Sequence, residues 1–167
     1  MSRRVSRRGV RWLSASLLVA GACGGSPDAP RIEDSGFTSS AGRLCAAQLP
    51  PLRADIADDT PREPSEIAPL VEDRAEKLDV LVGELESLDV VPAARGEIEA
   101  WLKDWRVYVK VGGRYAEALR EGDPQVYSAV AEEGVEPQER ISAFARANGF
   151  EDCALDGVPL PERESPI

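Results

Sequence analysis

Residues 92–124 read PAARGEIEAWLKDWRVYVKVGGRYAEALREGDP. Along them Ile98, Trp101, Leu102, Trp105, Tyr108, Val109, Tyr115 and Leu119 follow a spacing of three and four, which gathers side chains on one face of an α-helix. Pro92 suits a first turn, whose amides lack helical partners, and Gly122 stands where a left-handed residue closes a helix. Asp123-Pro124 then reads as the cap and first residue of the next helix. The stretch predicts one long helix, Pro92 to Glu121, with a single buried face.

The same period extends upstream and downstream. Ile67, Leu70, Val71, Leu78, Leu81, Val82, Leu85 and Leu88 mark a helix from Ser65, with Ser65 as its cap and Pro69 tolerated near its start; Val90-Val91-Pro92 ends it. Downstream, Pro124 to Glu133 presents Val126, Tyr127, Val130 and Ala131. Gly134 and Pro137 predict an interruption before a further helix, Pro137 to Asn148, with Ile141, Phe144 and Ala145 inward and Gly149 at its end. Near the N-terminus a short helix is expected over Ala41 to Leu49, stopped by Pro50-Pro51, with another turn or two over Leu52 to Asp59. No run alternates over a strand's length. The expected fold is therefore all-α, an antiparallel bundle of about four helices.

The leader holds five of the twenty basic residues (Arg3, Arg4, Arg7, Arg8, Arg11) and no acidic one. From Cys23 onward fifteen basic residues face thirty acidic ones, a formal charge of −15. That field repels phosphate, so nucleic acid and anionic lipid are not expected partners. The chain has no histidine, the commonest general base and a frequent ligand of zinc, copper and iron. No catalytic residue, metal site or cofactor is expected.

Five arginines precede the apolar run Trp12 to Ala20, which is too short to span a bilayer and has the form of a secretory leader. The following Ala20-Gly21-Ala22-Cys23-Gly24-Gly25 resembles the lipobox of bacterial lipoproteins, with Ala20 where that family prefers leucine. The resemblance implies that Cys23 is lipidated, carries an acyl group such as palmitate and becomes the new N-terminus. The protein would then sit outside the cytoplasm, anchored to the cell membrane. Export by the general secretory or the twin-arginine route stays open, since Ser2-Arg3-Arg4 and Ser6-Arg7-Arg8 resemble twin-arginine signals weakly. The expected division is a signal peptide (1–22), a flexible tether rich in Gly, Pro and Ser (23–42), a helical domain (43–157) and a tail (158–167), with fraying expected from Ala154 on.

With Cys23 lipidated, Cys45 and Cys153 remain in a compartment that permits disulfides. A bridge between them would staple the first ordered element to the last. Neither cysteine lies in a Cys-x-x-Cys pair, so a metal or redox role is not favoured. Residues 43–153, with one cysteine in the first helix and another after Gly149-Phe150-Glu151-Asp152, are similar to uncharacterised exported lipoproteins of actinobacteria. That likeness implies the fold and no activity.

Trp105, Tyr108, Gly112 and Tyr115 form a candidate ligand pocket on the central helix, against the alternative that the aromatic row is core and Gly112-Gly113 permits close helix packing. Lys103, Arg106, Lys110 and Arg114 make a basic stripe, expected to pair with acids such as Glu72, Asp73, Glu76 and Glu84 on the preceding helix. Asp55-Asp58-Asp59 and Glu132-Glu133-Glu136 lack a calcium-loop pattern. The expected function is a tethered, non-enzymatic module that binds an envelope protein partner. The alternative is a small-molecule or lipid-binding module, and a carboxylate-based hydrolase is the least favoured.

Overall fold

The computed structural model describes residues 29–54 and 62–156, so the leader, Cys23, the Asp55-Asp58-Asp59 cluster and residues 158–167 lie outside them. The described residues form four α-helices, α1 (Ser35–Ala54), α2 (Pro64–Glu86), α3 (Arg95–Glu121) and α4 (Pro124–Ala147), with 3-10 turns at Pro92–Ala94 and Glu151–Cys153 and no strand. The all-α expectation holds. Side-chain pairs give the directions: Arg106 of α3 meets Asp79 and Glu86 of α2 while Arg120 meets Glu72. Asp104 of α3 meets Arg140 of α4 while Arg114 meets Glu133. As one helix number rises its neighbour's falls, so α2, α3 and α4 run antiparallel.

The central helix ends as its sequence requires. Gly122 adopts φ 76°, and its N–H donates to the Ala118 carbonyl at 3.2 Å. The Asp123 carboxylate accepts the Gln125 N–H at 2.9 Å and opens α4. At the start of α2 the expected cap is corrected. Ser65 lies inside the first turn, while Glu63 is the cap residue and its N–H donates to the Glu66 carboxylate at 2.9 Å.

Two expected breaks do not occur. α4 continues through Gly134 and Pro137, both buried, although an interior proline costs about 3 kcal/mol in helix propensity. Contacts on both sides of the proline hold the helix to α3: the Glu133 and Asp104 pairs with Arg114 and Arg140, and buried Val130 and Ile141. α1 likewise runs through Pro50-Pro51, where Leu49 and Leu52 are buried on either side and Arg53 donates to the Asp152 and Ala154 carbonyls at 3.0 and 2.8 Å. α1 also begins at Ser35, inside the span expected to be tether. Asp34 is the reason: one carboxylate oxygen accepts the Phe37 N–H and the other the Val91 N–H, each at 2.9 Å.

The core divides into two clusters along the bundle. One holds Phe37, Cys45, Leu49, Leu81, Leu85, Ile98, Trp101, Trp105, Ile141, Phe144 and Phe150, with all four helices contributing. The other holds Ala68, Val71, Val111, Tyr115, Ala116, Leu119, Tyr127 and Val130, from α2, α3 and α4. Cys45 and Cys153 are disulfide-bonded with Cα atoms 5.0 Å apart, joining α1 to the turn after α4 as expected. The fraying expected from Ala154 is corrected, because Leu155 is fully buried. Its N–H donates to Ser142 Oγ at 2.9 Å and its carbonyl accepts from Gln138 at 3.1 Å.

Candidate functional site

Trp105, Tyr108, Gly112 and Tyr115 lie on the inner face of α3, each at most 2% exposed where aromatic. They do not converge. Trp105 and Tyr108 belong to the four-helix cluster and Tyr115 to the other. Beside Tyr108 and Gly112 there is a gap of about 10 Å³, closed by Val71, Arg74, Ala75 and Leu78 and about the size of one water. A methyl group on Gly112 would come within 3.3 Å of the Ala75 Cβ, so this glycine serves the close approach of α2 and α3. Gly113 has nothing within 4 Å of such a methyl and needs no glycine for packing. Burial pushes the Tyr108 and Tyr115 hydroxyls up to about 12, which keeps both neutral in the core. The Trp105 Nε1–H is buried without an acceptor among the described residues, an uncompensated cost of about 1–3 kcal/mol.

Of the basic stripe, Arg106 and Arg114 are salt-bridged, with partners other than those expected, while Lys103 and Lys110 form no ion pair among the described residues. Arg106 grips Glu86 through two bonds of 2.9 and 2.5 Å and Asp79 through a third of 2.6 Å. Arg114 reaches across to α4 and holds both oxygens of Glu133 at 2.7 Å. The guanidinium bonds hold the Glu86 and Glu133 carboxyls below the usual carboxylate range. Of the acids expected to face the stripe, Glu72 pairs with Arg120 and Asp73 with Lys77. All these groups are about two-fifths exposed or more, so water and salt screen the pairs and each adds little to stability. Glu136 pairs with Arg140, so the Glu132-Glu133-Glu136 cluster is largely engaged by arginine.

A larger depression lies on the α3/α4 face, where the sequence pattern did not point. It has a volume of about 380 Å³ and a floor of Ala100 and Ala143 over the buried Trp101 and Phe144 rings. Two alanines facing each other across the helix pair leave the space that larger side chains would fill. The Trp101 and Phe144 rings are stacked beneath it at 5.6 Å, and Trp101 is fixed further by its Nε1–H bond to the Ile141 carbonyl at 3.2 Å. Phe37, Trp105 and Phe150 meet Trp101 edge-on at 6.0, 6.0 and 5.4 Å, so the floor cannot tilt without moving the core.

The ends of this groove differ in chemistry. At one end Arg140 donates to both Asp104 oxygens at 3.0 and 2.8 Å, a bidentate gate joining the two helices. At the other, Ala29 and Pro30 border the opening, and Asn148 pins them there. Its amide donates to the Pro30 carbonyl at 3.0 Å, and its oxygen accepts the Ile32 N–H at 2.8 Å. Glu97 and Glu139 complete the rim, exposed and without an ion pair among the described residues. A second, more open hollow of about 580 Å³ adjoins Asp34, Ser40, Ser87 and Asp89, but both Asp34 oxygens are already committed to backbone N–H groups. Those bonds hold the Asp34 carboxyl below its ordinary value.

No helix among the described residues is long and apolar enough to cross a membrane. Compared with family models, with curated proteins and with solved structures, the chain finds no match.

Proposed function

We propose that the protein is an extracytoplasmic lipoprotein, tethered to the membrane through Cys23, whose helical domain works without catalysis as a docking module for a partner protein in the cell envelope. The observation that supports this reading most is the groove between α3 and α4 at the root of the tether. Its floor is apolar and held rigid by stacked aromatics, which suits recognition because little order is lost on binding. Ala29 borders it, and Cys23 lies six residues upstream, so an anchor there would keep the groove within about 20 Å of the bilayer surface. Partners in the same membrane would then meet it at high effective concentration.

Expression of the whole chain in a bacterial host with an alkyne-bearing fatty acid tests the address. Label on a membrane-bound chain that begins at Cys23, lost on Cys23→Ser, is the expected result; an unlabelled chain in the soluble fraction overturns it. A photoreactive residue at Ala100 tests the docking. It should yield one discrete protein adduct that a second change, Ala143→Trp, removes, while the same probe at the exposed Gly83 of α2 yields none. Equal adducts from both positions would refute the assignment of the groove.

A small-molecule reading draws support from one observation, the groove's volume, which falls within the range of ligand pockets. It moves the ligand from Trp105–Tyr115 to Trp101–Phe144. Bound extra mass in a native mass spectrum of the gently extracted protein would favour it.

A further inference from the structure

Resting on the docking role of the groove, we infer that its occupant is a partner's amphipathic segment whose apolar side chains lie on Ala100 and Ala143, above the buried Trp101 and Phe144 rings, and whose lysine or arginine side chains meet Glu97 and Glu139. The cations on this face leave the rim acidic. Arg140, the one basic side chain lining the groove, is already held by Asp104 and Glu136. Glu97 and Glu139 carry no such partner among the described residues, and they stand on the two helices that form opposite walls. A segment with a cation on each edge of an apolar face would satisfy both at once.

The wider charge agrees. From Cys23 onward the chain carries −15, which draws a basic segment toward the domain before contact and disfavours an acidic one. Attraction by net charge alone would not choose a location. The groove supplies that choice, since it joins an apolar floor to acids that lack internal partners. An arginine-rich segment with no apolar face would gain only the screened surface term, and an apolar segment without cations would leave two carboxylates partly desolvated.

The test uses the purified mature chain and three short fluorescent peptides of leucine and alanine that differ only in two positions, filled by lysine, glutamine or glutamate. The lysine peptide is expected to bind about tenfold more tightly than the glutamine peptide, as two rim pairs of ordinary strength allow, and the glutamate peptide most weakly. Raising salt should erase the tenfold and leave the remainder. In Glu97→Gln/Glu139→Gln the lysine and glutamine peptides should bind alike, with circular dichroism and thermal midpoint unchanged. In Ala143→Trp all three should lose binding.

If the lysine preference survives in the double glutamine variant, the preference comes from net charge and the inference falls. If glutamine and lysine peptides bind alike to the unaltered protein but Ala143→Trp abolishes both, the docking role stands and the cationic occupant is wrong. If Ala143→Trp changes nothing, both fall. Binding of a simple alkyl-trimethylammonium at the same site, with no peptide binding, would replace the protein partner by a small amphipathic cation and overturn the inference.

Discussion

The two halves of the bundle are built from the same three long helices, yet they are finished differently. Where α1 lies against α2 and the Glu151–Cys153 turn, the core holds Phe37, Trp101, Trp105, Phe144 and Phe150, and the Cys45–Cys153 bridge closes it. Toward the Gly122 turn the core is Ala68, Val111, Tyr115, Ala116, Leu119 and Tyr127, with the Arg114–Glu133 and Arg120–Glu72 pairs at its border. The difference teaches that helix length does not measure local stability. What counts is how many elements cover each turn and how large the enclosed side chains are.

Removal of the bridge tests that contrast most strongly. Replacing both Cys45 and Cys153 by alanine should cost about 4–5 kcal/mol, as the closure of a 108-residue separation implies, measured by urea unfolding of the oxidised parent and the double variant. Amide exchange should speed first in α1 and the Glu151–Cys153 turn. Uniform loss of protection along α2 to α4 would mean that the halves are one cooperative unit. Next comes Trp101→Ala, expected to cost about 3–5 kcal/mol because the ring meets four others and bonds the Ile141 carbonyl; Leu119→Ala in the other half should cost about 2–3. A larger loss at Leu119 would reverse the ranking of the halves.

Titration separates the halves in a different way. Tyr108 sits in one cluster and Tyr115 in the other, and burial raises both hydroxyls to about 12. The folded state holds these protons more tightly than the unfolded chain, whose tyrosines ionise near pH 10. Their contribution is thus complete below about pH 10 and lost as pH rises toward 12, at most about 3 kcal/mol for each. Tyr108→Phe and Tyr115→Phe should each flatten the fall in thermal midpoint across that window; a fall unchanged in both variants would remove the tyrosines as its cause.

On the acid side each half holds a lowered carboxyl, Glu133 in one and Asp34 in the other. The Asp34 carboxyl is lowered by the Phe37 and Val91 N–H bonds, so its contribution is present above the unfolded value near 3.8 and disappears as pH drops through the folded one. Asp34→Asn should therefore leave less acid dependence in α1 amide exchange than the parent shows, and an unchanged profile would contradict the role given to this cap. The smallest expected effect is at the glycine pair. Gly113→Ala should stabilise α3 by about 1 kcal/mol, whereas Gly112→Ala, pressed against Ala75, should fall short of that gain or reverse it.

The fold was legible in the sequence where the pattern was long and locally punctuated. α3 and its Gly122-Asp123-Pro124 end followed from spacing and turn chemistry alone, and the cysteine pairing followed once Cys23 was set aside for lipid. α1 was half visible. Phe37, Ala41, Cys45 and Leu49 do recur at four, but Ser35, Gly36, Ser39, Ser40 and Gly42 around them give the composition of a linker. Asp34 caps that helix through the Phe37 N–H and is itself fixed by the Val91 N–H, from a residue 57 positions away. Pro137 gave the opposite error, since a local rule predicted a break that ion pairs and burial against α3 override. The groove was the least legible part, because Ala100 and Ala143 are unremarkable until the register of two helices sets them opposite each other. The aromatic row was read on the right face of the right helix, and that face is interior.

The disulfide has a mechanical consequence. Load entering through the proposed tether meets the Asn148 clip at the end of α4, runs along α1 to Cys45 and passes to Cys153 through a covalent bond. A pull between the tether and any point beyond Cys153 therefore bypasses α2, α3 and most of α4. In the tethered role proposed above, a pull of that kind would strain the edge of the domain and leave the helices that form the groove slack.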